Sequence, residues 1–281
     1  MAIRPGPPHQ QRAPGGTDTA ELRLRPARRS RRSLAGVIIA LLALCGLAVA
    51  GYGIRGQLKP RTFTPAQQRR IEAWEIAKRW RTIPKAQLFP ASVTYKLGSR
   101  AAAKGALRLT ATRLEIAGQD TCTAAAGASH KFMSVLGGNG CTALLRSTYT
   151  DSTRSLVVTA GIAVLKSEAS AADAARFLTG GPASGEGGIA RQLVLKPFRV
   201  FGTPAASYGF PQRQLSWVIS AGPYLVMTTV GYADGRPRVR IAGDSYAYQE
   251  MTSLARGVAA RVAAPLAVPP PVPRCPGVPS C

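Results

Sequence analysis

The sequence predicts an α+β domain with a mostly antiparallel sheet and a few helices, preceded by one transmembrane helix. Three observations support this fold class. Residues 34–54 form a run of 21 residues without a charge. After residue 89, several short segments alternate apolar and polar residues, which is typical of half-buried strands. Two later stretches place apolar residues at helical spacing instead.

Residues 1–33 are rich in Pro, Gly, Gln and Arg and contain few large apolar side chains. Such a segment cannot bury enough apolar surface to offset the entropy lost on ordering. We therefore expect a disordered, basic cytoplasmic tail without a catalytic domain.

Residues 34–54, LAGVIIALLALCGLAVAGYGI, are predicted to cross a membrane. At 1.5 Å per residue, a helix of this length matches the ~30 Å hydrocarbon core of a bilayer. Arginines crowd the side before the run, between Arg23 and Arg32, so the positive-inside rule places the N-terminus in the cytoplasm and the C-terminal domain outside it. A cleaved signal peptide is the alternative, because Ala48-Val49-Ala50 has the small-x-small form of a cleavage site.

Residues 55–88 are predicted to form a juxtamembrane stalk with one helix over about 65–80. Thr64 and Gln67 have the spacing of a capping box, and Pro65 suits the first helical position. These three residues predict where the helix begins.

The stalk helix is expected to pack on the following domain through one apolar stripe. Ile71, Trp74 and Ala77 form this stripe, and Glu75 and Arg79 are spaced as an i, i+4 ion pair. The stripe predicts which side of the helix is buried.

Residues 89–264 are predicted to form the extracytoplasmic α+β domain. An alanine-rich segment that ends near residue 178 predicts one helix, and Met251, Leu254, Val258 and Val262 place a second apolar face on a helix over 250–263. Residues 265–281 read as an extended, Pro-rich tail. The predicted strands lie near 93–97, 107–111, 142–150, 156–165, 193–201, 215–221 and 224–232.

The cysteines support an oxidising compartment for the C-terminal domain. Cys45 lies in the predicted span, whereas the other four follow it, an even number suited to disulfides. The local pairing joins Cys122 to Cys141 and Cys275 to Cys281, but four cysteines allow three pairings. An intermolecular bridge from the tail is the alternative for the last two.

The chain is strongly basic, with 37 Lys and Arg residues against 13 Asp and Glu. Arg236, Arg238 and Arg240 recur at period two, so on a strand they would share one face. We expect this stripe to bind anions through charge and bidentate contacts, with membrane lipid, an anionic cell-wall polymer or another envelope protein as partner. A solvated basic face is the alternative interpretation. The compartment argues against nucleic acid.

Catalytic signatures are sparse. Of the two histidines, His9 falls in the predicted tail and His130 stands alone, and no G-x-S-x-G or G-x-x-x-x-G-K motif occurs. We expect no metal site, no cofactor and no catalytic residues. The sequence therefore predicts a non-catalytic binding or assembly module of the cell envelope, with an envelope hydrolase or transferase using an unidentified carboxylate as the alternative.

The segment WEIAKRWRTIPKAQLFPASVTY at residues 74–95, together with the Arg-, Ala- and Gly-rich composition, resembles uncharacterised single-pass membrane proteins of high-GC actinobacteria. The order of strands, alanine-rich helix and hairpin is also similar to extracellular sensor domains of mycobacterial-type kinases. These resemblances imply an anchored extracytoplasmic domain and supply no functional residues.

Overall fold

The computed structural model describes most of the chain except its two ends and a few internal segments. The described residues are 32–57, 62–97, 107–118, 121–123, 130–181, 187–192 and 194–268, and in the first helix the side chains are described for residues 36–49. The chain divides into two compact units, Met1–Pro60 and Arg61–Cys281. Almost all of the predicted cytoplasmic tail lies outside the described residues.

The first unit contains helix α1, Arg32–Gln57. All of its described side chains are exposed, among them Ile39, Leu42 and Val49. Cys45 on this helix is a free thiol. Among the described residues, no helix combines the length and the apolar character needed to cross a membrane.

The second unit is built on an antiparallel sheet that has seven strands in the described part of the chain. The strand order is β1-β2-β3-β4-β7-β6-β5, and all neighbouring strands run antiparallel. This architecture confirms the predicted α+β class. The strands are β1 Ser92–Lys96, β2 Arg108–Ile116, β3 Ala143–Asp151, β4 Leu156–Val164, β5 Gly188–Ile189, β6 Arg213–Ala221 and β7 Tyr224–Tyr232.

Helices cover both faces of this sheet. On one face, the C-terminal helix α6, Tyr246–Ala267, packs against β1, β6 and β7, and its side chains Met251, Leu254, Val258 and Val262 are fully buried, as predicted. The helices of the second unit are α2 Pro65–Thr82, α3 Lys85–Leu88, α4 His130–Gly138, α5 Glu168–Thr179 and α6 Tyr246–Ala267, with a short 3-10 helix at Phe210–Gln212.

The opposite face of the sheet is covered by α4 and α5. Phe132 and Leu136 from α4 and Leu178 from α5 form a buried cluster with Leu144 and Leu225 of the sheet. Because both faces are covered, every residue of β3 and β4 is buried. The continuous apolar run of β4 in the sequence follows from this position.

Helix α2 begins as the sequence predicts. The Thr64 hydroxyl accepts a hydrogen bond from the Gln67 backbone N–H at 3.3 Å, and the Thr64 N–H donates to the Gln67 side chain at 2.9 Å. Both bonds of the capping box are present, and Pro65 occupies the first helical position.

The buried side of α2 differs from the prediction. Ile76, Trp80 and Ile83 pack against the core, whereas Trp74 is 60% exposed and Ala77 is exposed. Three large apolar side chains bury more surface than a stripe that contains an alanine, so this side of the helix is favoured.

The expected ion pair on α2 is also replaced. Glu75 pairs with Lys78 at 3.0 Å instead of with Arg79. The Arg79 guanidinium donates to the Pro265 carbonyl of α6 at 2.8 Å. Arg79 therefore joins the stalk helix to the C-terminal helix.

The strand predicted over 193–201 is not formed. Residue 193 lies outside the described residues, and residues 194–200 have no strand assignment. The short strand β5 pairs with β6 at that edge of the sheet. Residues 194–200 instead cross the face of the sheet.

Side chains of β3 and β4 hold this crossing segment. The Thr148 hydroxyl donates to the Phe198 carbonyl at 2.6 Å, and the Phe198 N–H donates to the Thr159 hydroxyl at 3.1 Å. Arg146 donates to the Lys196 carbonyl at 2.9 Å. Side chains of the sheet thus form hydrogen bonds with the backbone N–H and C=O groups of this segment, in place of the bonds that a neighbouring strand would form.

The predicted disulfide between Cys122 and Cys141 is confirmed, with an S–S distance of 2.00 Å and a Cα–Cα distance of 6.2 Å. Cys275 and Cys281 lie outside the described residues. Helix α6 continues to Ala267, beyond the expected start of the tail at Pro265. Burial of Leu266 and the bond from Arg79 to the Pro265 carbonyl hold this last turn on the domain.

Candidate functional site

The predicted arginine stripe is exposed but does not lie on a strand. Residues 236–240 follow β7 as an irregular segment, so the prediction that Arg236, Arg238 and Arg240 share one strand face is wrong. Pro237 has no N–H to donate to a neighbouring strand. Arg236, Arg238 and Arg240 therefore do not share one face, and their surroundings differ.

A backbone carbonyl of the 3-10 helix before β6 and a side chain of β6 hold this segment in place. The Arg238 N–H donates to the Pro211 carbonyl at 2.7 Å, and the Val239 N–H donates to the Gln214 side chain at 3.1 Å. The Gln214 side chain in turn donates to the Pro237 carbonyl at 3.3 Å. One buried glutamine thus replaces the regular pairing of a strand.

Arg236 is paired within its own turn. Its Nε donates to Asp234 at 2.6 Å, and its backbone N–H donates to the same carboxylate at 3.0 Å. Its guanidinium also lies 4.5 Å from the centre of the Tyr232 ring. The Asp234 carboxylate offsets the positive charge of Arg236.

Arg238 and Arg240 line a cavity of about 380 Å³ together with Gln214, Ile241 and Tyr248. We call it the Arg238 cavity. Among the described residues that line it there is no carboxylate. Two exposed guanidinium groups at one cavity without a lining acid make a local excess of positive charge.

A neighbouring arginine adds to this positive charge. Burial lowers the pKa of the Arg213 guanidinium, and the charge of Arg238 lowers it further. Arg213 also lies 4.2 Å from the centre of the Phe210 ring. The Tyr208 hydroxyl opposes this lowering of the Arg213 pKa, so Arg238, which follows β7, is the smaller influence on Arg213 at the start of β6.

A second cavity of about 540 Å³ adjoins the first, because Tyr248 lines both. Trp217, Asp244, Gln249 and Arg256 also line this second cavity, which we call the Trp217 cavity. We refer to the two cavities together as the Tyr248 groove.

The beginning of α6 positions Tyr248. Ser245 caps the helix, and its hydroxyl accepts a hydrogen bond from the Tyr248 N–H at 3.3 Å. The same hydroxyl donates to the Ala242 carbonyl at 2.6 Å, which ties the cap to the preceding loop. The first turn of α6 is thereby fixed between the two cavities.

The Tyr248 groove combines cationic, aromatic and hydrogen-bonding groups with one carboxylate, Asp244, in the Trp217 cavity. Arg238 and Arg240 can hold an anionic group through charge-assisted hydrogen bonds. Tyr248 provides part-exposed ring surface, the Trp217 ring beside it is only 9% exposed, and Gln249 can donate and accept hydrogen bonds. This set suits a ligand with an anionic group and an adjoining apolar or polyhydroxyl part.

Only the cationic part of this groove is predicted from the sequence. Trp217 falls within the strand predicted over 215–221, and Tyr248 precedes the helix predicted over 250–263, so neither residue is singled out. Trp217 and Tyr248 come together because α6 packs over β6, and this packing cannot be predicted from the residues next to either one.

Glu250 in the first turns of α6 lies within electrostatic range of Asp151 at the end of β3. Burial raises the pKa of Glu250, and the charge of Asp151 raises it further. Burial also raises the pKa of Tyr95, with the same two carboxylates as further causes. Asp151, however, accepts hydrogen bonds from the backbone N–H groups of Leu156 at 2.7 Å and Thr153 at 3.0 Å, so its observed role is to hold the β3–β4 turn.

His130 is the exposed first residue of α4. Over the part of the chain that the structure describes, no group of three or more His, Cys, Asp or Glu residues is placed to hold a metal ion.

Comparison with known proteins gives no relative from which a function could be transferred. No family model matches the sequence. No curated protein and no solved structure matches it either.

Proposed function

We propose that this protein is a single-pass membrane protein whose extracytoplasmic domain binds an anionic component of the cell envelope in the Tyr248 groove. It acts as a binding or assembly module without catalysis of its own. The observation that carries the proposal is the pair Arg238 and Arg240 at a cavity that has no lining carboxylate among its described residues and adjoins the aromatic Trp217 cavity.

The membrane anchor is supported by the sequence of residues 34–54, which carries no charge over 21 positions. The structure describes the side chains of 36–49 within this run, and apolar residues such as Ile39, Leu42 and Val49 are exposed there. A bilayer would remove this apolar surface from water, at about 25 cal/mol per Å².

The extracytoplasmic location of the domain is supported by two independent features. Arginines concentrate before the run, which favours a cytoplasmic N-terminus. The disulfide between Cys122 and Cys141 is the bond expected in an oxidising compartment. The resemblance of residues 74–95 to single-pass membrane proteins of actinobacteria agrees with this arrangement.

The proposed ligand is a polymer that carries phosphate groups, such as teichoic acid. Phosphate accepts the bidentate hydrogen bonds that arginine donates. The linking units of such a polymer can lie along Tyr248 and Trp217. A membrane-anchored domain would meet this polymer at the cell surface, and this position is also why nucleic acid is not proposed.

Binding of poly(glycerol phosphate) to the full chain in nanodiscs of neutral lipid tests the groove. The R238Q/R240Q variant should weaken binding about tenfold or more, since loss of about 1.4 kcal/mol corresponds to tenfold in affinity. The matched control is R108Q/R261Q, which removes two exposed arginines outside the groove. Equal affinity of the groove variant and the control would reject the groove as the binding site.

Extraction and protease accessibility test the anchor. The protein should stay in the membrane fraction after alkaline carbonate washing. Protease added to intact protoplasts should remove the residues after Arg55. A released soluble species that begins near Gly51 would support the cleaved signal peptide instead.

A further inference from the structure

Helix α2 has a second side that the domain does not use. Arg70, Trp74, Ala77 and Arg81 follow each other at intervals of four, three and four residues, so they share one side of the helix. All four are exposed. We call these four residues the α2 stripe.

The α2 stripe points away from the packed side of the helix. Ile76, Trp80 and Ile83 face the core. The backbone N–H of Trp80 donates to the Tyr224 hydroxyl of β7 at 3.3 Å. Five residue positions separate Trp74 from Arg79, whose guanidinium is bonded to α6, and at 100° per residue this places them on different sides. Because the side of α2 with Ile76, Trp80 and Ile83 is held against the domain, the α2 stripe remains exposed.

Trp74 is the large aromatic residue of this stripe, and 60% of its surface is exposed. The Lys78 ammonium lies 3.0 Å from the centre of its ring and also pairs with Glu75. Tryptophan is enriched where a bilayer meets water, because its ring is apolar and its indole N–H can still bond to water or headgroups.

Charge on the stripe has one sign. Arg70 and Arg81 flank Trp74, and none of the four stripe residues is acidic. The Arg81 guanidinium lies 4.6 Å from the centre of the Trp80 ring, at the edge of the packed side. Arginine near an anionic lipid surface is attracted to it, so the stripe is complementary to such a surface.

The covalent chain limits how far this stripe can be from a bilayer. Helix α1 ends at Gln57 and α2 begins at Pro65. At ~3.5 Å per residue, the connection spans at most about 28 Å. Ten residues, 55–64, separate the proposed span from α2, so a chain anchored by residues 34–54 keeps α2 within reach of the bilayer surface.

We propose that the α2 stripe lies on the outer surface of the bilayer in which the chain is anchored, with Trp74 in the interfacial layer and Arg70 and Arg81 against anionic lipid headgroups. This inference rests on the membrane anchor of the proposed function, and it does not involve the Tyr248 groove. The stripe makes α2 a second point of attachment and fixes how the domain is held above the lipid.

Fluorescence quenching of the full chain in vesicles that contain phosphatidylglycerol tests this contact. Lipids brominated near the headgroup end of the acyl chain should quench part of the tryptophan emission, and lipids brominated deeper should quench it less. W74F should abolish this component, because Trp80 packs against the core and Trp217 is nearly buried. Quenching that is the same in wild type and W74F would overturn the proposal.

A charge variant separates lipid attraction from simple proximity. R70Q/R81Q should lower the equilibrium constant for surface contact about 25-fold in anionic vesicles, since each of the two cations near such a surface contributes about a fivefold attraction. The control R108Q/R261Q should keep the quenching of wild type. Unchanged quenching in R70Q/R81Q would contradict the role of the two arginines.

Flotation of the same samples distinguishes this inference from the proposed anchor. A chain that floats with the vesicles after a carbonate wash, but shows no quenching of Trp74, would overturn the stripe contact and leave the anchor in place. A chain that does not float would overturn both. Protection of Trp74 from an aqueous quencher without any quenching by brominated lipid would assign the stripe to a protein contact and also reject the proposal.

Discussion

Gly257 lies where α6 crosses β1, and the approach is so close that a side chain has no room there. A Cβ added at Gly257 would stand 2.4 Å from the Cβ of Tyr95. The preferred distance between carbon atoms is about 3.5–4.0 Å, so the helix and the strand would have to separate by more than about 1 Å. Tyr95 cannot turn away, because the contact involves the first atom of its side chain.

Two opposing effects set the magnitude for G257A. Alanine is about 1 kcal/mol more favourable than glycine inside a helix. Overpacking of a close contact costs about 1–3 kcal/mol, and the upper end applies because backbone must move. We therefore expect G257A to lower the free energy of unfolding by about 2 kcal/mol.

Urea unfolding of a fragment that begins at Arg61 provides the assay, since this residue opens the second compact unit. G137A is the matched control, because nothing lies within 4 Å of a Cβ added at Gly137 in α4. The control should match wild type or exceed it by up to about 1 kcal/mol. If G257A were as stable as G137A, the close crossing of α6 and β1 would be refuted.

Two further predictions concern the disulfide and the half-buried Glu250 carboxylate. The C122A/C141A variant should lower the free energy of unfolding by about 3 kcal/mol, because the disulfide closes a loop with a sequence separation of 19. The control variant replaces the tail cysteines Cys275 and Cys281 and should not show this loss. Burial raises the pKa of Glu250 in the folded protein above that of the unfolded glutamate, which is about 4.3. The free energy of unfolding should therefore be highest below about pH 4.3 and should fall as the pH rises through the folded pKa. When unfolding is measured against pH, E250Q should lack this decline and be more stable than wild type at pH 7. The control E115Q should keep the decline of wild type. Identical pH profiles of E250Q and wild type would contradict the raised pKa of Glu250.

Periodicity and caps predict much of this fold. The capping box at Thr64 and Gln67, the disulfide and the buried face of α6 each depend on residues close in sequence, or on one repeated spacing. Such signals act before the chain has folded, so they can be read from the sequence.

The errors arose where distant residues decide the outcome. Residues 194–200 have the apolar pattern of a strand, yet Thr148 and Thr159 supply hydrogen bonds from the face of the sheet. The exposure of Trp74 likewise depends on which side of α2 meets the domain. No local pattern distinguishes these alternatives, because each depends on tertiary packing.

The candidate site was predicted in part. The spacing of Arg238 and Arg240 indicated a cationic surface, but Pro237 and the Gln214 side chain prevent the strand that this spacing suggested. The aromatic half of the groove depends on α6 returning over β6, some thirty residues after Trp217. Only the folded arrangement places Tyr248 beside both cavities.

A structure of the full chain bound to an oligomer of glycerol phosphate would show whether the Tyr248 groove holds the ligand. We expect one phosphate between Arg238 and Arg240, with oxygen atoms about 2.7–2.9 Å from their guanidinium nitrogens. The adjoining units should lie along Tyr248 toward Trp217. An ordered oligomer bound elsewhere on the domain, with both arginines free of phosphate, would contradict the assignment of the Tyr248 groove as the binding site.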